Sequence, residues 1–329
     1  MIKILYNKNE YSGPLVTVFV LNWNRKEDLL RCLNSINNQT YLPIEILVVD
    51  NGSTDGSAEA VISEFPEVRL IKLDRNYGCP GGRNRGIKHA KGEFIFFVDN
   101  DGILHRQAVE RAYRSINRDK RISVITGMVK PFSALNEVDI NCDVGSDDRW
   151  YYSPNFKGGV SLHRKAMYKD VGFYPDDYMY GAEEAYLSLR ILDNGCFMIY
   201  DPTVILWHKK AKDARDRKRE FITTQSNVLV NTWILWPIEL AAIYTLRSLF
   251  INPFRAFKAG LFMTWLQNSH YILIRAVYSA LKMRQPVQRK TMQIFWQLTK
   301  KKVKSQEDVF IISISYLKFI YRLFWGKQI

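Results

Sequence analysis

The sequence predicts an α/β protein in which a mainly parallel sheet is flanked by helices and followed by a basic, α-helical amphipathic extension. Three observations carry this. Short β-branched apolar runs alternate with segments of helical periodicity up to about residue 200. The apolar runs end in clusters of Asp, Asn and Ser. Near residue 207 the charge and aromatic content change abruptly.

LVTVFVLNW (Leu15–Trp23) and IEILVVD (Ile44–Asp50) are nearly continuous in apolar character, as strands covered on both faces should be. Between them Leu29, Leu33 and Ile36 recur at helical spacing. Ser53 and Thr54 supply turn and cap chemistry, and Ala58, Val61, Ile62 and Phe65 then repeat the helical pattern. VRLIKL (Val68–Leu73) reads as the next strand. A glycine-rich stretch, NYGCPGGRNRG, is expected as a flexible loop leading into a helix over about Arg83–Ala90. The strand EFIFFV, a helix over Gln107–Ile116 and the strand ISVITGMV follow. Such alternation implies right-handed βαβ units, with polar loops along the carboxyl edge of the sheet, where ligands bind.

The chain has 329 residues, 47% hydrophobic and 24% charged, enough for one large or two smaller domains and too apolar for a disordered protein. Four cysteines, Cys32, Cys79, Cys142 and Cys196, form no C-x-x-C pair, which argues against a zinc site or disulfide framework and for a reducing, cytoplasmic compartment. The opening MIKILYNKNEYSG has no apolar core of secretory length. Residues 1–206 carry 25 Lys and Arg against 27 Asp and Glu, a net of −2, whereas residues 207–329 carry 22 against 6, a net of +16. Six of the eight tryptophans lie in that second part. The boundary is therefore placed in the charged run His208–Glu220, giving residues 1–210 and 211–329.

Four strand ends deliver polar groups to one rim: Asn22 and Asn24; Asp50, Asn51 and Ser53; Asp74 and Asn76; Asp99, Asn100 and Asp101. Each could be a turn former taken singly, but four together are hard to explain that way. Two carboxylates one residue apart at the tip of an apolar strand make chemical sense if a divalent cation sits between them and a phosphate, and hard oxygen ligands favour Mg2+ or Mn2+. The glycine-rich stretch is neither a P-loop, since Ile87 stands where the lysine belongs, nor a dinucleotide fingerprint. Its arginines Arg83 and Arg85 are expected to approach phosphates.

The run VFVLNWNRKEDLLRCLNSINNQT…IEILVVDNGSTDGS…NYGCPGGRNRGIKHAKGEFIFFVDNDG resembles the donor half of inverting family 2 glycosyltransferases of the GT-A, Rossmann-like fold, rhamnosyltransferase-like members included. The resemblance covers about residues 14–210 and implies a nucleotide-sugar half over about 14–130 and an acceptor half over about 131–210. It implies that Asp50 contacts the base or ribose, that Asp101 is the direct metal ligand and that Asp99 is its ribose- or metal-facing companion. Asn22, Asn24, Ser53, Asn76, Gly78, Arg83, Asp99 and Asn100 complete the expected donor set.

The acceptor half is read from FKGGVSLHR (Phe156–Arg164) and YGAEEAYLSLRILDNGC (Tyr180–Cys196). A helix from about Ala182 would bury Leu187, Leu189 and Leu192 and carry Glu183 and Glu184 in its first turn, where its dipole favours negative charge. A carboxylate in a half-enclosed cleft also suits a base that takes a proton from an acceptor hydroxyl. The segment is similar to the family's ED-x-D-L-x-x-R motif, which aligns Glu184 with the usual general base and Glu183 with the acid before it, while Tyr186 replaces the third acid. Gly158 and Gly159 match an acceptor-side loop that permits close approach. His208 ends the strand-like FMIYDPTVILWH, where family members frequently place a metal-binding histidine, an acceptable third ligand for manganese.

Beyond Glu220, VLVNTWILWPIELAAIYTLRSLF is broken by Asn231, Pro237, Glu239 and Arg247, which argues against a spanning helix and for amphipathic helices on an anionic membrane surface, aided by Lys300–Lys304. The alternative is a helical appendage packed on the catalytic domain or on a second subunit of a homo-oligomer. No nucleic-acid reader motif is present. Two carboxylates could also serve a glycoside hydrolase, or the chain could be a nucleic-acid- or lipid-binding protein on a degenerate GT-A scaffold. The favoured expectation is a metal-assisted inverting transfer from a UDP- or dTDP-sugar to a glycan or lipid-linked acceptor in cell-surface polysaccharide synthesis, at the inner face of the plasma membrane.

Overall fold

In the computed structural model, residues 11–135, 140, 149–209 and 216–304 are described. Expectations that fall on Cys142, Lys210–Arg215 and Trp325 lie outside them. The elements run β1 (Tyr11–Asn22), α1 (Lys26–Asn37), β2 (Tyr41–Asp50), α2 (Ser57–Glu64), β3 (Arg69–Lys72), α3 (Gly78–Ile87), β4 (Phe94–Asp99), β5 (Gly102–Leu104), α4 (Ala108–Ile116) and β6 (Ile122–Pro131). They continue with β7 (Tyr151–Ser153), β8 (Val160–Arg164), α5 (Tyr168–Val171), α6 (Glu183–Asp193) and β9 (Phe197–His208). Four helices close the described chain: α7 (Arg217–Leu235), α8 (Ile238–Lys258), α9 (Phe262–Met283) and α10 (Arg289–Lys300).

Strands β3, β2, β1 and β4 lie side by side and parallel, as the alternating pattern requires. Val16, Val18, Phe19 and Val20 of β1 are all buried, so the strand is covered on both faces. Beyond β4 the sheet becomes mixed: β8 is antiparallel to β4 and β6, β9 is parallel to β6, and β5 and β7 pair antiparallel with β9. Register then gathers the site. Asn22 stands opposite Asp50 and Leu21 opposite Asp99, which aligns the carboxyl ends of β2, β1 and β4. Gly102 stands opposite His208, which brings the end of β9 beside the tip of β4.

Ile62 and the glycine-rich stretch depart from the local pattern. Ile62 is 60% exposed, while Ala58, Val61 and Phe65 bury, because Ile62 falls past the edge of their helical stripe. The glycine-rich stretch is no loop: it forms α3 from Gly78, five residues before the expected start. Pro80 falls in the first turn, where its missing N–H costs nothing. A Cβ on Gly86 would collide with Phe19 and Val49, so this glycine lets the helix lie flat on β1 and β2. Tertiary packing thereby overrides low intrinsic helix propensity.

The C-terminal helices are joined to the sheet through two apolar clusters. Tyr178 and Leu189 join Leu229, Val230 and Ile234 of α7, Leu240 of α8 and Ile272 of α9. Ile294 and Leu298 of α10, with Val303, enter the main core, and Val303 bridges Tyr152 of β7. The segment Lys300–Lys304 therefore lies at the sheet, with Lys300 over Trp296 and Lys302 over Tyr151. Among the described residues no helix is long and apolar enough to cross a membrane.

Candidate active site

Three clusters of side chains meet at the carboxyl edge. In the first, Asn22 Nδ2 donates to Asp50 Oδ1 (3.2 Å) and to Ser53 Oγ (3.3 Å), and its Oδ1 accepts from Asn100 Nδ2 (2.7 Å). Ser53 N donates back to Asp50 Oδ2 (3.0 Å). Asn24, in the left-handed region at φ +50°, donates its N–H to Ser53 Oγ (2.9 Å) and accepts from Thr54 N (2.7 Å). The five predicted residues thus form one network around a buried carboxylate. Asn76 and Gly78 lie beside it but serve the entry to α3. Asn76 Oδ1 accepts from Gly78 N (2.8 Å) and Asn51 Nδ2 (3.0 Å).

The second cluster is Asp99, Asp101 and His208. One potential ligand atom from each lies within 4.8 Å of the other two. His208 Nε2 is 2.9 Å from Asp101 Oδ1 and 3.6 Å from Asp99 Oδ2. Two carboxylate oxygens and an imidazole nitrogen suit a hard-to-borderline divalent ion such as Mn2+, so the donor set fits a metal. Asp99 has a raised pKa, chiefly from withdrawal from water, opposed by Arg83, with Asp101's charge adding to it and His208 opposing. Sequence reasoning missed Arg25, whose Nη2 reaches Asp101 Oδ2 at 3.4 Å while its Nε donates to Asp28 (3.1 Å). The Asn24–Arg25 pair, one residue past the end of β1, was the available signal.

The third cluster joins the tip of β4 to the start of α6. Arg83 is 5% exposed and lies over the Phe97 and Tyr174 rings. Its Nη1 donates to Glu184 Oε1 at 3.1 Å and lies 3.9 Å from Glu183, and its Nη2 lies 3.8 Å from Asp99. Both arginines, expected to be able to approach phosphates, are held by carboxylates in this structure. Arg83 is held by carboxylates inside the cleft, and Arg85 turns to Asp176 (3.1 Å) and the Tyr77 ring (3.6 Å). Gly158 and Gly159 acquire a nearer reason than room for a sugar. A Cβ on Gly158 would collide with Glu184 and Arg83, and one on Gly159 with the Asp99 carboxylate.

Glu183 is 3% exposed, and its Oε2 has no hydrogen-bond partner among the described residues. Burial, aided by the charge of Glu184 and opposed by Arg83, pushes its carboxyl up to about 7. Glu184 is the more open, its side chain 25% exposed. Both start α6 behind Ala182, which sits in the left-handed region at φ +66°. That strained turn is pinned from α7: Asn231 Nδ2 donates to Ala182 O (2.8 Å) and Asn227 Nδ2 to Gly181 O (2.8 Å) and Tyr180 O (3.0 Å). Nothing in local sequence pattern announces these long-range bonds. Tyr186, where the resembling motif has an acid, packs instead against the C-terminal helices.

A triad suited to a metal at the carboxyl edge of a half-parallel sheet, with a carboxylate pair across a buried arginine, defines a GT-A glycosyltransferase. Residues 17–173 match the family model described as Glycosyl transferase family 2, so the chain carries a domain of that family. Glycosyltransferase AglE of Haloferax volcanii is 26% identical over 71% of this chain and 79% of its own length. Other relatives are matched over much less of themselves, 39% and 15% in two glycosyltransferases of Streptococcus pneumoniae. Among solved structures, a mannosyltransferase of Pyrobaculum calidifontis in complex with GDP-Man and Mn2+ shares the fold at TM-score 0.52 and 19% identity, over 85% of this chain and 92% of its own. GalNAc-T7 with UDP, GalNAc and Mn2+ does so at TM-score 0.55 and 16% identity, over 70% of this chain and 49% of its own.

Proposed function

We propose that this transferase moves a sugar from a UDP- or dTDP-sugar, with inversion, to a hydroxyl of a glycan or lipid-linked acceptor in cell-surface polysaccharide synthesis, at the inner face of a membrane. The observation that carries this reading is Arg83, one guanidinium spanning Glu184 at 3.1 Å and Asp99 at 3.8 Å. It fixes the acceptor-side base against the donor-side carboxylate. Asp50, with Asn22 and Ser53, holds the nucleoside, and Asp99 faces the ribose or the metal. Asp101 and His208, with Asp99, would hold Mn2+ or Mg2+, which when bound supplies positive charge to a leaving diphosphate.

Glu184 accepts the acceptor hydroxyl proton as the new C1–O bond forms. The bond from C1 to the donor phosphate breaks on the opposite face, and its electron pair leaves with the nucleoside diphosphate. Glu183, whose burial lets it keep its proton to higher pH than an ordinary carboxyl, limits repulsion beside the ionised base. A hydrolase reading gives no use to a metal triad facing phosphate. The test is a screen of UDP-, dTDP- and GDP-sugars for thermal stabilisation with and without Mn2+. Metal-dependent stabilisation by one donor class, absent in Asp101→Ala, is expected. Equal stabilisation in that variant contradicts the ligand assignment.

A further inference from the structure

Helices α8 and α9 turn an apolar side to the solvent, although a surface helix ordinarily buries its apolar stripe and leaves polar residues outside. On α8, Leu246, Phe250, Phe254 and Phe257 recur at intervals of four, four and three and are 55%, 80%, 59% and 71% exposed. On α9, Ile274 and Leu281 are 65% and 83% exposed. The other side of each helix is already covered: Leu240, Ala241 and Ala256 bury on α8, and Ile272 and Ala276 on α9. A contiguous outward apolar face of this kind marks an interaction surface.

Charge selects the partner. Residues 238–283 carry five Lys and Arg, Arg247, Arg255, Lys258, Arg275 and Lys282, against one acid, Glu239, which pairs with Arg289 at 2.8 Å. The cations also stand on the apolar face itself: Lys258 lies 4.7 Å over the Phe254 ring and Lys282 4.3 Å over the Tyr278 ring. Long basic side chains lying along exposed aromatic rings are what an anionic headgroup layer accommodates, since the stem stays with the apolar surface and the ammonium reaches phosphate. A second copy of the chain would set these cations against their own kind.

We propose that the outward face of α8 and α9 inserts into the headgroup layer of an anionic membrane, as a monotopic hairpin. This deepens the proposed function, on whose lipid-linked acceptor it rests for its purpose, by naming the surface that meets the bilayer. A chain of hydrogen bonds links this hairpin to the site: Arg275 of α9 donates to Ser226 Oγ (2.9 Å) and Asn227 Oδ1 (2.7 Å) on α7, and Asn227 holds the turn before Glu183. The basic segment Lys300–Lys304, expected to share in this attraction, lies elsewhere.

The full chain is to be sedimented with sucrose-loaded vesicles of phosphatidylcholine alone or with about 30 mol% phosphatidylglycerol. Partitioning about tenfold stronger into the anionic vesicles is expected. It should weaken at least about tenfold in Phe250→Glu/Phe254→Glu, with an unchanged melting temperature and unchanged Mn2+-dependent donor binding. No binding of the wild-type chain, or equal binding of the variant, overturns the proposal. So does a dimer in light scattering that the double substitution dissolves, or vesicle binding that appears only when the chain is ended at Lys304. Donor binding measured on the same preparation reports on the transferase reading separately.

Discussion

Replacing Glu183 by glutamine should raise stability, and raise it more as pH rises. The native carboxyl titrates at about 7 against an ordinary value of 4.5. Between these values the unfolded chain has released its proton while the native chain still holds it, so native stability falls as pH climbs through the window. At about 1.4 kcal/mol per pH unit, the gap from 4.5 to 7 amounts to about 3 kcal/mol as an upper figure. The substituted amide has no proton to lose in this range and escapes that loss. Urea unfolding of both proteins at intervals from about pH 4.5 to 8 measures the difference directly, since all other titrating groups cancel to first order. The stability of Glu183→Gln relative to wild type should climb by about 2–3 kcal/mol across the range. A difference that stays flat with pH, or falls, refutes the claim that Glu183 is buried against its neighbour's charge.

Glu184→Gln keeps the hydrogen-bonding shape toward Arg83 but cannot take a proton, so turnover should drop about 100- to 10,000-fold with donor binding nearly intact, as initial rates and calorimetry would report. Gly159→Ala places a methyl into the Asp99 carboxylate, and Mn2+ affinity, read by paramagnetic resonance of the free ion, should weaken about 10- to 100-fold. Asn231→Leu strips partners from the Ala182 carbonyl and from the Tyr178 hydroxyl, which donates to Asn231 Oδ1 at 2.7 Å. It should cost about 2–4 kcal/mol in urea unfolding and lower turnover by releasing the strained turn before Glu184.

The donor half was legible because its signals are local. The strand ends that place Asn22, Asp50 and Asp99 follow from apolar runs stopping at polar residues, and the parallel register does the rest. His208 was legible as a strand end, yet only the antiparallel pairing of Gly102 with His208 sets it beside Asp101. Where the sequence misled, side chains at long range decided. Glycines that favour a loop locally became a helix because Gly86 must clear Phe19. That three carboxylates from two distant segments surround Arg83 depends on long-range pairing that no local pattern shows. The composition break near residue 207 did not foretell that α10 would return to the main core, or that α7 would pin the catalytic turn, because neither depends on any local period.

The central claim is that Asp99, Asp101 and His208 form one metal site facing the donor, an arginine's width from Glu184. Crystals soaked with Mn2+ and the donor selected by the stability screen, measured at the manganese absorption edge, test it most directly. The account predicts one anomalous peak in bonding contact with Asp101 and His208 Nε2, with the donor diphosphate against it. A peak elsewhere, or donor bound at the rim with no peak between these side chains, would contradict it.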